Sequence, residues 1–144
     1  MANIIPDSFK SELLSGTHNF ANGGDTFKLA LYVTTLGPPY STSSTVYSTT
    51  NEVSSSGTGY ATGGQALDSQ AVSIPGSNTA VVDFANEVFS SVTLTSLGAA
   101  IYNVTNGSKL CLVIDFGGDK VATSGDFTIQ FPADAATTAI IQVA

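Results

Sequence analysis

The residues of this chain that could do chemistry are few, and their spacing argues against most reactions. A single histidine, His18, and a single cysteine, Cys111, stand among eleven carboxylates. Nucleophilic catalysis of the Ser-His-Asp or Cys-His kind would need His18 as its base. It lies in Gly-Thr-His-Asn-Phe, a turn context that favours a surface or hydrogen-bonding role over catalysis. Cys111 sits in the apolar run Lys-Leu-Cys-Leu-Val-Ile and reads as a small buried hydrophobe. One cysteine and one histidine supply neither an intramolecular disulfide nor a zinc site.

Several motifs match by letters only. Asp115-Phe116-Gly117 reproduces the kinase metal tripeptide without a glycine-rich loop or a catalytic loop, so it reads as a strand end and a turn. The glycine-rich stretch Gly57 to Gly64 follows no clear strand, opens no helix and lacks the lysine of a phosphate loop. Asp115, Asp119 and Asp126 lie beside glycine turns in a spacing that is not an EF-hand, and they read as solvated turn aspartates rather than calcium ligands. The sequons at Asn103 and Asn106 carry no weight without a secretory signal. No pair of carboxylates stands out for glycoside hydrolysis, and no tryptophan is present to line a sugar cleft. The expectation is therefore a protein that is not an enzyme and that holds no metal or cofactor.

Composition narrows the partners. All four basic residues are lysines, and the net charge of −7 repels phosphate backbones and anionic headgroups, so neither nucleic acid nor a membrane is an expected partner. Charged residues make up 10% of the chain, against about 25% in an average soluble domain. Much of the surface must then be Ser, Thr, Asn and Gly, or be covered by another chain. The opening Met-Ala-Asn-Ile-Ile-Pro-Asp has neither a basic region nor a long apolar run, so a protein made and kept in a cytoplasm is expected.

The elements that would position these residues are mostly strands. At 144 residues the chain suits one domain spanning 1–144, with an N-terminal arm and helix over 1–16. Asp7 is the expected helix cap, Phe9, Leu13 and Leu14 the expected inward face, and Gly16 the stop. From Thr26 the period falls to two, with Phe27, Leu29, Leu31 and Val33 alternating with their neighbours as in a half-buried strand. Further strand-like runs, Gln70 to Ile74, Thr79 to Phe84, Ser91 to Leu97, Ala99 to Asn103, Lys109 to Phe116, Asp126 to Phe131 and Ala139 to Val143, bring the total to about eight. Asn106-Gly107 is a hairpin turn, and Gly117-Gly118-Asp119 with Ser124-Gly125 brackets another connection. The expected fold is mostly β: an antiparallel β-sandwich, jelly-roll or immunoglobulin-like, with one short N-terminal helix.

Residues 37–64, headed by Pro38-Pro39 and rich in Ser, Thr and Gly, read as a long surface loop. Tyr40, Tyr47 and Tyr60 within it offer amphipathic contact area, and the apolar pair Ile4-Ile5 must rest on its own core or on a neighbour. These five are the expected interface residues.

The strings Asp7-Ser-Phe-Lys-Ser-Glu-Leu-Leu, Thr26-Phe-Lys-Leu-Ala-Leu-Tyr, Thr50-Asn-Glu-Val-Ser, Gly57-Thr-Gly-Tyr, Gly63-Gly-Gln-Ala-Leu, Leu97-Gly-Ala-Ala-Ile-Tyr-Asn, Leu112-Val-Ile-Asp-Phe-Gly-Gly-Asp-Lys and Gly125-Asp-Phe-Thr-Ile-Gln-Phe occur in that order along nearly the whole chain. Together they resemble a group of small virion structural proteins of tailed bacteriophages. The resemblance implies a component of the virion, made in the host bacterial cytoplasm. Its expected partners are itself, as a homo-oligomer with a trimer favoured, and the major capsid protein or other virion proteins. The leading expectation is a capsid decoration or cement protein; the alternatives are a tail, baseplate or fibre-associated adaptor, or a receptor-facing carbohydrate-binding module.

Overall fold

The computed structural model describes residues 3–33, 40–76 and 78–144. A helix α1, Asp7–Leu14, precedes seven strands: β1 Phe27–Tyr32, β2 Gln65–Ala66, β3 Ala71–Gly76, β4 Thr79–Asp83, β5 Glu87–Asn103, β6 Lys109–Ile129 and β7 Ile141–Val143. They form two antiparallel sheets, one in the order β2-β1-β5-β6 and the other β3-β4-β7. The fold is thus mostly β with one short helix. Gly37, Pro38 and Pro39 at the head of the expected loop, and Ser77 in the expected turn after Pro75, lie outside the described residues.

The β5–β6 hairpin is the spine, and it corrects the strand count. Ser91 to Leu97 and Ala99 to Asn103 are one strand; Lys109 to Phe116 and the start of the run from Asp126 likewise share a strand, which ends at Ile129 rather than Phe131. Gly117 and Gly118, at φ 74° and 156°, do not end β6 but form a bulge within it. Ser96 pairs with Lys120 and Gly98 with Asp115, so Phe116 to Asp119 stand opposite Leu97 alone. Smaller register shifts accompany Ser91 and Ser124, both at positive φ. The Asn106-Gly107 turn closes the hairpin as expected, with Asn103 opposite Lys109.

One core fills the space between the sheets, where Leu29, Ile101, Leu112 and Phe127 of the larger meet Val82 and Ile141 of the smaller. Phe20 stacks on Phe27 at 4.3 Å within it. The expected half-buried character of β1 is corrected, because every residue of the strand except Lys28 is buried. Its second face, with Ala30 and Tyr32, joins Ala100, Tyr102, Leu110 and Val113 in a separate cluster that includes Tyr40 and packs against Ile4 and Tyr47. Residues 40–64 thus pack against the sheet rather than projecting from it, with Tyr40 and Tyr47 on its second face and Val53 and Tyr60 in the main core.

The helix ends as expected and begins otherwise. Gly16 at φ 74° lets the Thr17 and Gly16 amides donate to Glu12 and Leu13 carbonyls, a Schellman closure. Pro6 rather than Asp7 occupies the N-cap, and Asp7 lies inside the first turn, 2.8 Å from Lys10. Phe9 and Leu13, four residues apart, face inward, but Leu14 is 92% exposed because the fifth residue turns well off that face.

Candidate functional site

Two polar clusters flank the larger sheet. The first gathers the residues with nucleophilic or basic potential. His18 Nε2 lies 2.8 Å from Glu12 Oε2, and Nδ1 lies 2.9 Å from Asn103 Nδ2 and 3.9 Å from Cys111 Sγ. The sequence places these residues far apart; α1, the 17–25 segment and the hairpin turn bring them together.

In outline this is a thiol, an imidazole and a carboxylate in series. Its hydrogen bonding makes it a structural pin instead. An amide nitrogen can only donate, so Nδ1 is the acceptor and Nε2 carries the proton given to Glu12. Asn103 is itself fixed, since Nδ2 also donates to Asp25 Oδ2 and Oδ1 accepts from the Asn106 amide. Asp25 Oδ2 further accepts from Asn106 Nδ2 and from the Asn19 amide. Cys111 is fully buried, and burial pushes its thiol well above the usual range, which disfavours the thiolate a nucleophile needs. Burial alone would raise the Glu12 carboxyl, but hydrogen bonds from Lys109, at 2.9 Å, and His18 outweigh it and hold the group below its ordinary value. His18 therefore has the expected hydrogen-bonding role, in the interior rather than at the surface.

The second cluster contains all five tyrosines of the chain, and its hub is Glu52, which the sequence did not single out. Glu52 Oε2 accepts from the Tyr47 hydroxyl at 2.5 Å, and Oε1 from the Tyr60 hydroxyl at 2.7 Å and the Gly63 amide at 2.6 Å. Tyr102 donates to the Gly63 carbonyl, and the Tyr32 and Tyr40 hydroxyls meet at 2.6 Å beside the Ser48 carbonyl. A Cβ on Gly64 would overlap the Leu29 carbonyl oxygen, so glycine alone lets this loop lie against β1. Burial first, and the Glu52 carboxylate next, raise the phenols of Tyr47, Tyr60 and Tyr102, the last up to about 12.

This arrangement corrects the picture of an exposed tyrosine surface. Tyr40 is 1% exposed and Tyr60 3%, and Tyr47 is half-buried, stacked on Tyr102 at 4.3 Å. Neither Tyr40 nor Tyr60 offers a face on which a sugar ring or a partner could stack. Ile4 rests on its own chain, exchanging two backbone hydrogen bonds with Val113 at the edge of β6, while Ile5 is 40% exposed. Asp115, Asp119 and Asp126, expected in turns, lie within β6 instead: Asp115 accepts from the Gly117 amide at the bulge, and Asp126 from the Ser91 amide across the hairpin. Among the described residues, no group of three or more His, Cys, Asp or Glu is placed to hold a metal ion.

Part of the surface left open to solvent is apolar. Val72 and Ile74 of β3 and Val143 of β7 are more than half exposed, and Val72 and Val143 line a cavity of about 410 Å³ with Leu13 and Phe20. No Asp, Glu or Lys contributes to its wall. No family model, curated protein or solved structure matches the chain. No helix among the described residues is long and apolar enough to cross a membrane.

Proposed function

We propose that this chain is a structural protein of the tailed-bacteriophage virion, acting as a capsid decoration or cement protein that bridges neighbouring major capsid subunits. The observation that carries the reading is the set of exposed apolar side chains on the two edges of the smaller sheet, Val72 and Ile74 of β3 and Val143 of β7, with the adjoining cavity, on a protein that has few charges elsewhere. Exposed apolar surface of this kind marks sites that another protein covers. The sequence resemblance supplies the particle, and the two packed sheets support a β-sandwich of jelly-roll or immunoglobulin-like type as the finer assignment.

The cement mechanism needs a rigid module, because ordering a loose one on the lattice would offset the contact energy. Glu52 and the tyrosines supply that rigidity by fixing residues 40–64 on the sheet. Ile5, exposed beside the edge-paired Ile4, extends the contact surface, and a trimer at local three-fold positions would repeat it many times over. Adding purified protein to capsids that lack it tests the proposal. Saturable uptake at a fixed ratio to capsid protein, abolished by the double substitution Val72→Asp and Ile74→Asp, is expected. Uptake by isolated tails but not by capsids would replace the cement role with that of a tail or baseplate adaptor.

A further inference from the structure

A second cavity, of about 580 Å³, opens between β6 and the segment 130–140. Its walls are Ile114, Phe116, Phe127, Ile129 and Ile140, several of them continuous with the main core. The volume lies within the range of small-molecule sites, roughly 300–1,000 Å³. Among the described residues, Lys120 is the one ionised side chain in the lining. Lys10 and Lys109 are paired with carboxylates, whereas Lys120 makes no hydrogen bond or ion pair among the described residues. A chain of net charge −7 thus sets a cation without a partner among the described residues beside an apolar cleft.

Beyond Val113, where Ile4 already pairs, the edge of β6 is a poor template for an added strand. The bulge from Phe116 to Asp119 and the irregularity at Ser124 interrupt it, and bulges of this kind block edge pairing. The cleft therefore favours a compact ligand over an extended peptide. Its apolar walls call for a hydrocarbon body, and Lys120 calls for an anionic head.

We propose that this cleft binds one free molecule of an apolar carboxylate of the medium-chain fatty-acid type, the chain lying against Ile114, Phe127 and Ile129 and the carboxylate meeting Lys120. The site is independent of the particle role and stands or falls separately from it.

Calorimetric titration of the purified protein with dodecanoate, kept below its micelle concentration, tests this. One saturable site per chain is expected, with a negative heat-capacity change. Lys120→Glu should weaken dodecanoate about tenfold or more, as expected when a charge-assisted contact is lost, and should leave dodecanol unaffected. Gln130→Trp, at an exposed position in the lining, should fill the cleft and remove both, with circular dichroism showing both variants folded. Absence of saturable binding to the unaltered protein, or equal affinity in the folded Lys120→Glu variant, would overturn the proposal.

Discussion

Glu52 Oε1 lies 2.7 Å from the Tyr60 hydroxyl, and that same hydroxyl accepts the Leu31 amide of β1 at 3.0 Å, so one phenol ties the loop carboxylate to the sheet backbone. The contact fixes a stretch of chain whose composition alone would leave it free. The tyrosines turn inward, whereas Val72 and Ile74 of β3 and Val143 of β7 stay outside and available to partners.

Replacing Glu52 tests this directly. Glu52→Ala leaves two phenols and the Gly63 amide without their acceptor, and should cost about 3 kcal/mol in urea unfolding. Amide exchange over residues 40–64 should rise at the same time. Glu52→Gln, which keeps an acceptor oxygen, should cost about 1 kcal/mol. Equal stability of Glu52→Ala and the unaltered protein would show that the loop is held by packing alone.

The raised phenols predict loss of stability in alkali. A tyrosine whose folded pKa exceeds its unfolded value of about 10 contributes stability that is full below pH 10 and is lost as pH rises toward the folded value. For Tyr102 that window runs up to about 12. Phenolate absorbance should therefore appear together with unfolding. A smooth titration of all five tyrosines near pH 10 in a folded protein would contradict the geometry.

In the cluster around His18, Asn103→Ala should be among the most damaging substitutions. It removes the partner of His18 Nδ1, one of the donors to Asp25 Oδ2 and the acceptor of the Asn106 amide, and should cost about 3 kcal/mol. Glu12 adds acid sensitivity: its carboxyl is held low, so its contribution is present above the unfolded carboxylate value and is lost as pH falls through the folded one. Thermal unfolding of Glu12→Gln should accordingly depend less on pH in the acid range.

Cys111 should resist iodoacetamide in the native protein and react as the chain unfolds in urea, because its thiol is buried and its pKa is raised. Labelling of the native thiol at the rate of a free peptide would show that the interior around His18 opens.

What the sequence made legible was local. The Asn106-Gly107 turn, the stop at Gly16 and the strand beginning at Phe27 each follow from residues within a few positions, and each stands in the structure. Gly117-Gly118 misleads because positive φ serves a strand-ending turn and an internal bulge alike; only the register against Leu97 separates them. The tyrosines mislead for a related reason. An amphipathic ring among serines reads as exposed until its hydroxyl partner is known, and for Tyr60 that partner stands eight residues away in a segment without regular periodicity. Asp7 carries the signature of a helix cap, but Pro6, with φ already fixed, takes the position and moves Asp7 into the first turn.

The central claim, a capsid-wide decoration, is tested most directly by the number of copies of this chain relative to the major capsid protein in purified particles, measured by quantitative mass spectrometry. The account predicts a ratio comparable to that of the capsid protein. A ratio a small fraction of that would place the chain in the neck, tail or fibres, and its absence from the particle would contradict the virion assignment altogether.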